Sequence, residues 1–351
     1  MKAHVRSGVI SDAGSLNICV LFDAVDRPAG GGNQFLKALI AQLRRLGHLV
    51  TTRPTRDTNV VLVNGFNYGP GRHLNVREIA RLRRTGRMGL AGRLAQLPGY
   101  RAKRRRGPVL VHRVDGVPRL TRGVVTRADH VQPAVNALAD HTVFQTDFCR
   151  TSFARHCERE PASWSVINNA VDPSIFFPRS AQHAPSESVL RLVATSWSTS
   201  PTKGFAALAS LSRLPGVQLT FAGNWCQEVD PAETTDVGVL PSEQLADLLR
   251  ASDAMVHAAV NEPCSNSIVE ALACGLPVVY RDSGGNRELA GDYGIPLTDD
   301  YAAVMSSLAT QWSALRQRVL DHRRRFLIGR AATEYVAAFR EVIEGGGWNG
   351  L

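Results

Sequence analysis

The chain alternates short apolar runs with longer stretches of helical period. NICVLF (17–22) reads as a strand. Glycines 30, 31 and 32 follow. In NQFLKALIAQLRRLGH the apolar positions Phe35, Leu36, Leu39, Ile40, Leu43 and Leu46 then fall on one helical face. Gly47 stops that helix and LVTTR begins a second strand. The rhythm continues through strand NVVLVN (59–64), strand PVLVHRVDG (108–116), a helix around Pro133 to Leu138, strand HTVFQT and helix DFCRTSFARHC. RSAQHAPSES (179–188) is polar and aperiodic, as a linker would be. Beyond it, strands LRLVATS, VQLTFAG and SDAMVHAA are interleaved with helices, PSEQLADLLRAS among them. Residues 301–340 return to helical spacing, and a GGGWNGL tail ends the chain as a frayed terminus. Such alternation predicts an α/β protein with parallel sheets. At 351 residues the chain is too long for one ordinary core, which predicts two domains.

One stretch, AMVHAAVNEPCSNSIVEALACGLPVVYR (254–281), packs strand, loop, helix, turn and strand into one unit. Residues 254–259 form the strand, and Asn261, Glu262 and Pro263 break it. Ser265 or Asn266 can cap a helix carrying Ile268, Val269, Leu272 and Ala273. Gly275 suits a left-handed position after the helix, and Pro277 follows. The backbone N–H groups of Asn266 to Ile268 then lie at a helix N-terminus beyond the carboxyl end of a strand, where α/β sheets bind phosphate. Glu262 and Glu270 flank that position.

Composition narrows the classes. Hydrophobic residues make up 44% and charged residues 21%, as in globular proteins. No run approaches the ~18 apolar residues of a membrane span. The first sixteen residues are mixed and polar, so no signal peptide is expected. Six scattered cysteines without a C-x-x-C pair read as reduced cytosolic thiols. The net charge is +10, and between Arg72 and Arg127 sixteen Lys/Arg face only Glu78 and Asp115. That region is either a solvated surface or a site for an anionic acceptor or an anionic membrane face. Lys103 to Arg106 lacks the aromatic interleaving of single-strand binders, so a nucleic-acid partner is not expected. The absence of G-x-G-x-x-G argues against a nicotinamide or flavin site.

Glu262 and Glu270 stand in an E-x7-E spacing. Together with CGLPVV and SGGNRE (283–288), it resembles the donor site of retaining family-4 glycosyltransferases, the glycosyl transferases group 1. SVINNAVDPSIFFP (165–178) resembles the family's I-x-N-G-V-D segment, with Asn169 matching and Ala170 replacing the glycine. The blocks span roughly residues 17–290. The resemblance implies a GT-B fold, two Rossmann-like domains facing across a cleft. Residues 1–178 would be the acceptor-side domain and 179–331 the nucleotide-sugar domain, with a C-terminal helix at about 332–351 crossing back. It implies a sugar donor bound by Gly31, Gly32, Lys203, Gly204, Val239, Leu240, Glu262, Ser265, Asn266, Ser267, Ile268 and Glu270. His112, Lys203 and Glu262 would carry catalysis. His112 and Asp115, at the end of their strand, are expected to face the cleft; for His112 the alternative is a bond to local backbone. Arg113, Asp115 and Asn33 are expected on the acceptor side, although Arg113 and Asp115 could instead pair with each other.

The resemblance further implies retention of configuration, no bound metal and no cofactor beyond the nucleotide-sugar donor. The acceptor would be a glycan, a lipid-linked molecule or a secondary metabolite, and an anionic one is favoured. A cytoplasmic location with contact at the inner membrane surface is expected. One departure stands out. The family often has an arginine five residues before the lysine of its Lys–Gly, and here that residue is Ser198. Arg287 or an arginine of the first domain could supply the charge. A catalytically silent GT-B scaffold or membrane-surface protein is the alternative; a phosphorylase or epimerase ranks lower.

Overall fold

The structure, a computed structural model, describes residues 14–27, 30–85, 107–179 and 189–345. The arginine run 86–106, nearly all of the linker and the tail beyond Gly345 lie outside the described residues. The first half supplies strands β1 (Asn17–Val20), β2 (Leu49–Thr51), β3 (Val60–Asn64), the hairpin pair β4 (Asn67–Gly69) and β5 (Arg72–His73), β6 (Val109–Arg113), β7 (His141–Phe144) and β8 (Trp164–Val166). The second supplies β9 (Leu190–Ser196), β10 (Val217–Gly223), β11 (Thr235–Asp236), β12 (Ala254–His257), β13 (Val278–Tyr280) and β14 (Gly294–Pro296).

Two six-stranded sheets result, ordered β2-β1-β3-β6-β7-β8 and β11-β10-β9-β12-β13-β14. Every pairing within them is parallel. This is the α/β architecture expected from the alternation. Each sheet reverses its winding once, between β1 and β3 and between β9 and β12. A crevice opens beyond the strand ends at such a reversal. The loops after β1, β9 and β12 are the glycine loop, the Lys203 loop and the Glu262 loop.

The cores explain the pattern. Phe35, Leu36, Leu39, Ile40 and Leu43 of helix Gly31–Arg45 bury one face against the first sheet and against Ile328, Ala331, Ala332, Tyr335, Val336 and Phe339. The latter belong to the last helix, Ile328–Glu344, so the chain end packs onto the first sheet's layer. The second sheet has its own core on each face, one centred on Ile268, Val269 and Leu272 and the other on Phe205, Phe221 and Leu308. The helical stretch 301–340 thus serves two cores. Helix Tyr301–His322 lies on the second sheet, and Ile328–Glu344 returns to the first. No helix of the described residues is long and apolar enough to cross a membrane.

Candidate active site in the interdomain cleft

Helix Asn266–Ala273 starts where the loop after β12 turns back over the sheet. Ser265 is its cap: the Ser265 hydroxyl accepts from the Ile268 N–H at 3.3 Å. Gly275 has φ +82° past the other end, which stops the helix before β13. The cap uses the Ile268 N–H, so the expectation that Ile268 binds donor does not hold in this geometry. The Asn266 and Ser267 N–H groups have no acceptor among the described residues, and both residues line the cleft. Glu270, one turn on, lines a recess that adjoins the cleft and has no hydrogen-bond or ion-pair partner among the described residues. Burial without a compensating cation pushes its carboxyl up to about 8.

The β9 loop brings the cation. A short 3-10 turn, Pro201–Lys203, is capped by the Ser200 side chain and places Lys203 in an ion pair with Glu262. Both side chains are largely buried and line a cavity of about 520 Å³ between the sheets. Gly204 is not part of that lining. Its φ is +77°, and a Cβ there would lie 2.4 Å from the Ala258 carbonyl oxygen, so it lets the Lys203 turn sit on β12. Val239 and Leu240 line an adjoining recess with Trp197, Thr195 and Glu270. Ser198 does not replace the missing cation: its hydroxyl accepts from the Ser200 N–H at 3.2 Å and shapes the turn. Arg287 does not replace it either, because it is exposed and paired with Asp282.

The first domain forms the opposite wall. Gly31 and Gly32 line the cavity at the start of their helix. A Cβ on Gly31 would fall 1.7 Å from Asn266 Nδ2, so two helix N-termini from different domains meet here. Asn33 lines the same wall, but its amide donates to the Val25 carbonyl and accepts from the Val25 N–H, each at 2.9 Å. These two bonds hold the glycine loop. Asp115 faces the cavity, 3.6 Å from Arg113 and accepting from Gln145 at 2.8 Å. His112 does not face it. The ring is fully buried, with Nε2 2.8 Å from the Gly65 carbonyl and Nδ1 3.2 Å from Asn136. Burial lowers its pKa to about 4, so it is a neutral structural imidazole.

Sequence reasoning passed over three groups. His257, at the end of β12, lines the cavity beside Lys203; burial, with the lysine adding to it, lowers its pKa to about 3. Glu288 accepts from the Asp147 and Phe148 N–H groups, both at 2.7 Å, and so caps a helix of the other domain. Asn169, matched above only to the I-x-N-G-V-D segment, crosses the cleft to Asn266 at 2.7 Å. GGNRE contained the Glu288 signal, and the Asn169 match contained the other. Nothing near His257 marked it.

Comparison with known proteins follows the same lines. Residues 203–317 match the family described as glycosyl transferases group 1. The chain is 25% identical over 275 residues to the D-inositol 3-phosphate glycosyltransferase of Mycobacteroides abscessus, covering 69% of this chain and 59% of that protein. It is 27% identical over 160 residues to the alpha-maltose-1-phosphate synthase of Mycolicibacterium smegmatis, covering 38% of this chain and 41% of the relative. The chain thus spans about three-fifths of the length of the inositol-phosphate relatives. Sucrose-phosphate synthase from Thermosynechococcus elongatus superposes with TM-score 0.65 at 16% identity, covering 94% of this chain and 99% of that one. HepE of Anabaena, solved with UDP and glucose, superposes with TM-score 0.63 at 15% identity, covering 93% and 99%. The fold is GT-B.

Proposed function

From a GT-B chain that matches the glycosyl transferases group 1 family across residues 203–317, we propose a retaining glycosyltransferase that uses a nucleotide-diphosphate sugar. One observation carries the reading. The open N–H groups of Asn266 and Ser267 lie at an interdomain cleft that the Lys203–Glu262 pair also lines, and Glu270 lines the recess that adjoins it. A diphosphate accepts from the helix end and from Lys203, contacts worth about 1–3 kcal/mol each. Glu270 receives ribose hydroxyls and Glu262 receives hydroxyls of the transferred sugar. The bond from the anomeric carbon to the phosphate oxygen breaks. The departing diphosphate takes the proton of the acceptor hydroxyl, and the new bond forms on the same face. Lys203 and the helix end stabilise the leaving charge, so the step needs no metal ion and chelators leave the rate unchanged.

An anionic acceptor suits the first-domain wall, where Arg122 lines the cavity and no acidic residue among those described pairs with it. Arg119, Leu120, Val124 and Val125 are exposed beside it, which supports a lipid-linked acceptor presented at the inner membrane surface. The test is incubation of pure protein with UDP-, GDP- and dTDP-sugars, with donor binding and acceptor modification followed by calorimetry and mass spectrometry. Binding to none of the donors by folded protein overturns the proposal. The Ser198 departure favours a second reading, a silent scaffold of the same fold. Donor binding with no transfer to any glycan, lipid or small acceptor would select it.

A further inference from the structure

Arg113 heads the large side chains that are fully buried. Its Nη1 donates to Asn64 Oδ1 and its Nη2 to Asn169 Oδ1, each at 2.6 Å. The guanidinium also lies over the Phe35 ring, 4.7 Å from the centroid, and its Nε has no hydrogen-bond partner among the described residues. The neighbouring carboxylate, Asp115, is 3.6 Å away and 42% exposed. A charge buried with so little compensation costs several kcal/mol. It therefore calls for a use beyond packing.

The guanidinium can only donate, and this fixes every amide that follows. Asn169 must turn its oxygen to Arg113. Its Nδ2 then donates to Asn266 Oδ1 at 2.7 Å and to the Cys264 carbonyl at 3.3 Å. Asn266 must accept with its oxygen, which leaves its Nδ2 hydrogens without an acceptor among the described residues, against Gly31 at the cleft. All the donors in this chain point from the buried charge of one domain toward the helix end of the other.

We propose that Arg113 and Asn169 are positioning residues for the donor diphosphate. They orient the Asn266 side-chain amide as a phosphate donor and supply, from the first domain, the positive potential that Ser198 does not. The proposal rests on the nucleotide-sugar reading above. Asn169→Asp separates it from a merely structural role. Aspartate still accepts from Arg113, so the buried cation keeps a partner and the fold is retained. It cannot donate to Asn266, whose amide then turns its oxygen to the cleft. Calorimetry is run with UDP, GDP and dTDP, each against its own nucleoside. The wild type binds one diphosphate. Asn169→Asp and Arg113→Met weaken that diphosphate about tenfold or more and leave the nucleoside affinity unchanged, with thermal melts confirming folded protein. Equal loss of nucleoside and diphosphate, or no loss of either by Asn169→Asp, overturns the relay and leaves the donor reading intact. A wild type that binds none of the diphosphates overturns the donor reading and the relay with it.

Discussion

At the residue scale Glu262 and Glu270 sit in different surroundings. Glu262 has Lys203, and Glu270 has no cation among the described residues. Glu270 holds its proton up to about pH 8 in the folded protein, against an ordinary value of 4.5. Below pH 4.5 both states are protonated and the residue has no effect on stability. As pH rises toward 8 the unfolded chain releases its proton more readily, so stability falls across that window and levels beyond it. Glu270→Gln should therefore match the wild type at pH 4 and exceed it by about 1 kcal/mol at pH 8, with water in the cleft moderating the difference. Denaturant melts at the two pH values check this, and an equal gap at both would exclude it. Lys203→Ala should lower turnover by about 10- to 100-fold through loss of one charge-assisted contact to the leaving group. Steady-state rates at saturating donor measure it, and Lys203→Met with Glu262→Gln should recover the melting temperature but not the rate.

At the element scale the sequence was legible wherever structure is local. The Ser265 cap, the helix it starts, left-handed Gly275 and Pro277 lie within a few turns of one another, and all stand where the pattern put them. His112 was misplaced because its partner, the Gly65 carbonyl, is 47 residues away. The Arg113 relay escaped notice because it exists only once two domains face each other. The meeting of helix Gly31–Arg45 with helix Asn266–Ala273 is of the same kind. No periodicity announces that Gly31 must lack a side chain because Asn266 lies against it. Gly31→Ala should push the two helix ends apart and weaken donor binding at least tenfold while the melting temperature moves by only a few degrees. Calorimetric titration beside a thermal melt separates these effects.

At the scale of the molecule the domains meet through backbone-directed bonds around the cleft. Thr146 donates to the Pro263 carbonyl at 2.5 Å, Thr202 donates to the Thr121 carbonyl at 2.9 Å, and Glu288 caps helix Asp147–Cys157. The contact between the domains therefore completes a helix terminus as well as the cleft. Glu288→Ala should remove about 1 kcal/mol of that contact and shift the pair of domains toward an open form. Small-angle scattering would record a larger radius of gyration than wild type, and donor KM would rise with kcat little changed; an unchanged scattering curve would count against the contact as a latch.

The last helix has a consequence for anyone recombining such chains. Ile328–Glu344 lies on the first core although it follows the second in sequence, so the half built on the second sheet is an insertion within the half built on the first. A chimaera with a single junction at the linker would strip one layer from the first half and import a foreign one. A graft with two junctions, one near residue 189 and one between His322 and Ile328, would carry the second sheet across with both its cores and leave the recipient's own helix layer in place.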